Sequence, residues 1–112
     1  MDIPIERNDG LLVATPSGRI DGFNAQDFHQ TLTGAISGDD AAVLVDMGGL
    51  NYISSAGLRS ILMIAKALWQ RKAKFMLCSL SGSIAEVFKM SGFDKIIEIH
   101  DSKEDALAKL GG

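Results

Sequence analysis

The chain has 112 residues, 46% of them hydrophobic and 22% charged, with a formal net charge of -3. That length suits one domain with one modest core, and the acidic balance argues against a dedicated nucleic-acid binder, whose basic stripe would reverse the sign. A single cysteine excludes an intramolecular disulfide and a Cys-rich metal cluster, and no apolar run reaches the roughly 20 residues of a membrane span.

In chain order, Ile3 to Arg7 alternates apolar and polar around Pro4, which suits an edge strand because proline has no N–H to give a ladder. Asn8-Asp9-Gly10 reads as a tight turn into a strand over Leu11–Thr15. Pro16 interrupts, and Ser17–Ile20 resumes as a short strand that Asp21-Gly22 ends. Asn24 and Asp27 have capping-box spacing, and Phe28, Leu32, Ala35 and Ile36 form one apolar face, predicting a helix over Ala25–Ile36. Ser37-Gly38-Asp39-Asp40 closes it. Ala41–Met47 is a continuous apolar run closed by Asp46, as expected of a strand buried on both faces.

Gly48–Gly57 reads as a loop with three glycines and two adjacent serines. A second helix follows, with Leu58, Ile61, Leu62, Ala65 and Leu68 at helical spacing through Trp69, and with Arg59, Met63, Lys66 and Gln70 opposite. Arg71 and Lys72 then suit a solvated helix terminus, and Trp69 suits core or half-buried packing. Lys74–Ser79 reads as a short buried strand that takes in Cys78, a small hydrophobe there. Ser83 and Glu86 have capping-box spacing before a third helix bearing Ile84, Val87 and Phe88, with Gly92 as its left-handed end. Lys95–Ile99 reads as the last strand, and Ser102 with Asp105 as a cap for a short helix carrying Ala106, Leu107 and Leu110. Strands first, then helix–strand alternation, predict a single α/β domain over residues 1–112, with a mixed β-sheet of about five strands packed with about four helices. Periodicity leaves open the strand order and whether helices cover one sheet face or both. The polar, acidic start lacks the features of a secretory signal, so a cytoplasmic protein without direct membrane insertion is expected.

The most informative stretch is Tyr52-Ile53-Ser54-Ser55-Ala56-Gly57-Leu58-Arg59, which puts two hydroxyls at a strand–loop–helix junction. In one reading a serine caps the helix and Gly57 lets the backbone turn. In the other, one hydroxyl is presented for covalent modification, since a phosphate is well tolerated at a helix N-terminus. Intrinsic catalysis has little behind it. Asp46 stands where a receiver domain keeps its phosphoacceptor, but LLVATPSGR offers no acidic pair for Mg²⁺, so a loop-capping role fits better. His29 and His100 have no ligand-spaced partners. No Cys-x-x-Cys, GxxxxGK[ST], GxGxxG or G-x-S-x-G string occurs, so neither an enzyme nor a bound cofactor or metal is expected.

DMGGLNYISSAGLRSIL, with GRIDGFNAQDF upstream, resembles the STAS domain of bacterial anti-sigma factor antagonists, and the likeness runs from the first strands to the final helix. The resemblance implies partner switching. An unphosphorylated antagonist binds an anti-sigma factor with serine kinase activity and releases the sigma factor; phosphorylation reverses this, and a PP2C-type phosphatase restores binding. The serine two places before the motif glycine is the phosphoacceptor, which matches Ser55. Many members carry Asp just before it where this chain has Ser54, so Ser54 is the other candidate acceptor. Asp21, Asn24, Ser54, Ser55, Gly57, Leu58, Arg59 and Met63 are the expected partner-binding residues. The same fold also serves other partner-switching, stressosome-like and lipid-transport complexes.

Overall fold

In the computed structural model, which describes residues 1–111, the chain opens with an antiparallel hairpin of β1 (Ile5–Asn8) and β2 (Leu11–Ala14). Asp9 and Gly10 both have positive φ, 51° and 83°, the pairing that a two-residue turn between right-twisted strands requires. There follow β3 (Ser17–Ile20), α1 (Ala25–Ala35), β4 (Ala42–Asp46), β5 (Gly49–Ile53), α2 (Ser55–Gln70), β6 (Lys74–Cys78), α3 (Gly82–Ser91), a 3-10 turn over Phe93–Lys95, β7 (Glu98–His100) and α4 (Lys103–Gly111). Gly112, the last residue of the span expected to form one domain, lies outside the described residues.

Five strands make one mixed sheet in the order β1-β2-β4-β6-β7, parallel except for β1 at the edge, where Pro4 precedes it. From β2 to β7 the chain always steps to the next strand in the same direction. Right-handed crossovers in one direction place every crossover helix on one sheet face. Accordingly Phe28 and Leu32 of α1, Ile61, Ile64 and Leu68 of α2, and Ile84 and Phe88 of α3 share a core with Val43, Val45, Phe75 and Leu77. The other face, Val13, Leu44, Met76 and Cys78, is covered by α4 through Ala106, with Leu107 and Leu110 beside it. Val43, Leu44 and Val45 are all fully buried, as the continuous apolar run predicts. Burial also pushes the Cys78 thiol above its ordinary 9.0, so it behaves as a small hydrophobe.

Several boundaries differ from the sequence reading. The expected loop over Gly48–Gly57 contains β5, which pairs in parallel with β3 as a separate two-stranded sheet. Its glycines and Asn51 mask the signal, and only Leu50 and Ile53 turn inward. The second helix therefore starts at Ser55, about three residues earlier than its apolar stripe suggests. The Asn24/Asp27 capping box does not form, because Asn24 bonds within the preceding turn and Asp27 pairs with the N-terminal ammonium. Nor does Ser83/Glu86, since α3 starts two residues earlier, at Gly82, with Ser81 at its N-cap position. Ser102 does cap α4, its Oγ accepting from Asp105 N at 3.0 Å. The last strand is Glu98–His100, because Phe93–Lys95 turns instead of extending. Trp69, expected in core or half-buried packing, is 39% exposed and so outside the core, since Ile64, Ala65 and Leu68 already fill the inner side of α2.

The α1–β4 loop is tied from two sides. Asp40, 3% exposed, accepts from Arg7 Nε at 3.1 Å, from Arg7 Nη2 at 3.2 Å and from Ser37 N at 2.7 Å. Arg7 also donates to the Ala35 carbonyl. Arg71, exposed at the end of α2 as expected, also donates to the Ser37 and Gly38 carbonyls at 3.1 and 3.4 Å. The Arg7 hydrogen bond, reinforced by Ser37 N–H against the opposing cost of burial, holds the Asp40 carboxyl below its ordinary 3.8. A depressed folded pKa contributes stability that is present above 3.8 and is lost as pH falls through the lower folded value. In urea titrations the wild type is therefore expected to lose stability on acidification below pH 4 more steeply than Asp40→Asn. At neutral pH the variant is the less stable of the two.

Candidate functional site

The motif serines sit where β5 delivers the chain to α2. Ser54 N donates to the Ile20 carbonyl at 2.8 Å, extending the β3–β5 pairing by one bond and fixing the start of α2 beside the end of β3. Ser54 is extended (φ -87°, ψ 172°) and its Oγ accepts from Gly57 N at 3.1 Å, the geometry of an N-cap. Its carbonyl accepts from Leu58 N at 2.9 Å. Ser55 is the first residue inside the helix, and its side chain is exposed. The two adjacent hydroxyls thus have different environments: Ser54 is half-buried with its oxygen engaged, and Ser55 faces solvent.

Gly57 is buried where α2 crosses the β3–β5 pair. A Cβ there would lie 2.7 Å from Ile20 Cγ2 and 2.8 Å from Ile53 Cγ1, so the close approach of helix to sheet needs glycine. Leu58 packs inward with the same core. Gly57 and Leu58 consequently set the position of this surface and offer little of it to a partner.

The β3–α1 turn lies alongside. Asp21 Oδ1 accepts from Phe23 N at 2.9 Å and Asn24 N at 3.1 Å, while Asn24 Oδ1 accepts from Asp21 N at 2.7 Å. Asn24 Nδ2 donates to the Arg19 carbonyl at 2.9 Å. Arg19 pairs with Asp21 at 3.2 Å and lies over the Tyr52 ring, 4.9 Å from its centroid. Asp21 and Asn24 therefore brace each other, and the turn they build holds Phe23 entirely in solvent, at 100% exposure. Sequence reading passed over Phe23; its signal was an aromatic side chain placed among turn formers in Asp21-Gly22-Phe23-Asn24.

Between α1 and α2 runs an open groove of about 300 Å³, lined by Gly22, Gln26, His29, Ala56, Arg59 and Met63 among others. Met63 is 53% exposed. Ser60 Oγ reaches the Ala25 carbonyl at 3.4 Å across the floor, and His29 Nδ1 is buried with no hydrogen-bond partner among the described residues. The structure thus brings Asp21, Asn24, Ser54, Ser55, Arg59 and Met63 to one end of the molecule. It keeps Asp46, His100 and Cys78 out of this surface: Asp46 Oδ1 caps the following loop through Gly48 N at 2.9 Å, and His100 bonds Glu98 at 2.6 Å. Among the described residues no group of three or more His, Cys, Asp or Glu is placed to hold a metal ion, and no helix is long and apolar enough to cross a membrane.

The STAS domain model matches residues 2–106. A Bordetella bronchiseptica protein named as the anti-sigma factor antagonist BtrV is 37% identical over 108 residues, spanning 96% of this chain and 93% of the relative. Among solved structures, one named as an anti-sigma factor antagonist from Thermotoga maritima superposes with a TM-score of 0.92 at 20% identity, covering 98% of this chain and 95% of the other. The Bacillus cell fate determinant SpoIIAA in its phosphorylated form gives a TM-score of 0.74 at 18% identity, covering 97% and 99%.

The junction makes two stability predictions, both read by urea denaturation. Gly57→Ala is expected to lower stability by about 1–3 kcal/mol through overpacking against Ile20 and Ile53, despite the better helix propensity of alanine. Ser54→Ala is expected to cost about 1 kcal/mol through loss of the cap, whereas Ser55→Ala stays within about 0.5 kcal/mol of wild type.

Proposed function

The chain belongs to the STAS domain family of anti-sigma factor antagonists, and on that premise we propose that it acts as a single-domain cytoplasmic antagonist switched by a phosphate on Ser55. The domain is regulatory rather than catalytic. Unphosphorylated, its α2 end docks on an anti-sigma factor that is also a serine kinase, and the sigma factor is released. Ser55 Oγ then attacks the γ-phosphorus of ATP held by the kinase, and the bond to the bridging oxygen breaks. ADP leaves, and the hydroxyl proton passes to a base of the kinase. A PP2C-type phosphatase returns the serine by hydrolysing the ester with water.

The observation that carries this reading is the different state of the two hydroxyls. Ser55 is exposed at the first position of α2, while Ser54 is engaged as the N-cap. A phosphate on Ser55 disturbs no bond of the fold and meets the positive end of the helix dipole. A phosphate on Ser54 would have to form on an oxygen already engaged with Gly57 N–H. The modification adds about -1.5 to -2 charge at one point of the docking face. An unmatched charge of that kind costs several kcal/mol to bury in an interface, enough to separate the pair. The 37% identity to the Bordetella relative, and the existence of a Bacillus structural relative in phosphorylated form, support the same scheme.

Around Ser55 the docking face would comprise Asp21, Asn24, Ser54, Arg59 and Met63, with Phe23 as its apolar anchor and Gly57 and Leu58 beneath. The backbone of the turn that carries Phe23 is braced by Asp21 and Asn24, so burying the ring in a partner needs only its own two side-chain torsions to be fixed, a small conformational-entropy cost.

Incubation with the switch's serine kinase and ATP is expected to add one phosphate by intact mass. Ser55→Ala abolishes it and Ser54→Ala retains it; the reverse pattern overturns the site. Absence of any phosphate, with the gene placed beside a transporter, would favour a transport or scaffold role of the same fold. Phe23→Ala is expected to weaken kinase binding by on the order of tenfold in calorimetry. Its thermal midpoint should stay close to that of wild type, because the side chain touches nothing in the free domain.

A further inference from the structure

Arg59 stands four residues after Ser55 on α2, and both side chains are exposed. That spacing puts the two on one helix face with Cβ atoms about 5–6 Å apart. The other arginines of the chain are engaged: Arg7 with Asp40, Arg19 with Asp21, and Arg71 with the Ser37 and Gly38 carbonyls. Among the described residues Arg59 has no such partner, and it borders the groove that His29 and Met63 also line.

We propose that Arg59 is the intramolecular counter-charge of phosphorylated Ser55, a positioning residue that the phosphate withdraws from the docking partner. The inference rests on Ser55 being the acceptor. An acidic group four residues N-terminal to a basic one is the favourable order on a helix, because both ends then agree with the dipole. Guanidinium and phosphate also match geometrically through paired N–H···O bonds. Before modification the Ser55 hydroxyl gives Arg59 nothing to pair with, and the cation faces solvent beside the groove, open to an acidic group on a partner. Afterwards the phosphate binds it. One modification then changes the docking face twice: it adds a dianion and removes a free cation. A partner reading Arg59 with a carboxylate would lose its ion pair and meet like charge at the same spot.

The remaining charged and titratable groups around this end of the molecule are Tyr52 of β5, whose ring lies under Arg19, Lys66 two turns beyond Arg59 on α2, and those of the neighbouring β3–α1 segment. Arg19 and Asp21 pair with each other, Asp27 pairs with the N-terminal ammonium, and His29 lines the groove. None of these shares the helical spacing that joins Ser55 to Arg59.

The test installs phosphoserine at position 55 of the full chain during translation, so that no kinase is needed, and follows the phosphate by ³¹P NMR over a pH titration. A nearby cation favours the dianion, so the second phosphate pKa of the wild type should lie below that of Arg59→Gln by roughly 0.15–0.4 unit at low salt. The gap should shrink as salt is raised, and Arg59→Lys should restore most of it. Equal values in wild type and a folded Arg59→Gln would overturn the proposal. The two possible failures separate: native phosphorylation at Ser54, read by mass, refutes the acceptor assignment, while equal titrations refute the Arg59 pairing alone.

Discussion

The central strands β4 and β6 are covered on both faces, and the rest of the architecture follows from that constraint. With β2, β4, β6 and β7 laid down in one direction, right-handed crossovers carry α1, α2 and α3 to a single face. The opposite face must then be covered by an element that is not a crossover, and α4 supplies it with Ala106, Leu107 and Leu110. Helix α4 is therefore part of the core rather than an appendage. The hairpin edge at β1 needs no further neighbour, with Pro4 just outside it and Arg7 turned to the α1–β4 loop.

The same geometry creates the functional end. The β3–β5 pair is set apart from the main sheet, and α2 begins directly on top of it. Gly57 permits that contact because no side chain fits between the helix and Ile20 and Ile53. The Ser54 N–H bond to Ile20 carbonyl fixes the register of the junction, and the cap from Ser54 Oγ to Gly57 N starts the helix. A rigid joint of this kind projects Ser55 outward without using its side chain for structure. It also places the β3–α1 turn alongside, so that Phe23 and Ser55 belong to neighbouring surfaces although 32 positions separate them in the chain.

A domain that works by being bound and marked needs a surface whose electrostatics can change while its core does not. The proposed acceptor meets that requirement: it lies at the positive end of a helix dipole, makes no bond on which the fold depends, and is followed one turn later by an unengaged arginine. With a formal net charge of -3 for the whole chain, a single phosphate is a large local and global change. The cation at Arg59 then matters as much as the anion, because what a partner reads is their sum.

Sequence by itself determined the element types apart from β5 and the 3-10 turn, the mixed sheet with four helices, the both-sides burial of the strand within Ala41–Met47, the hairpin turn at Asp9-Gly10, and the serine pair at a helix start. All of these rest on short-range rules: apolar period, turn chemistry and the residue types that caps accept. The family resemblance was legible in the same way, since the strings GRIDGFNAQDF and DMGGLNYISSAGLRSIL that carry it are read directly along the chain. Only the tertiary structure decided that Gly49–Ile53 is a strand, since its ladder partner Ser17–Ile20 lies about thirty residues away and its own glycines hide the alternation. It also dissolved two capping boxes of correct spacing, because Asn24 and Asp27 found partners outside the helix, and Ser83 lay inside one that had already begun. Above all it divided Ser54 from Ser55 and left the side chains of Phe23 and Arg59 without partners among the described residues. Whether a side chain is engaged or free depends on what the fold brings against it, and no local pattern encodes that.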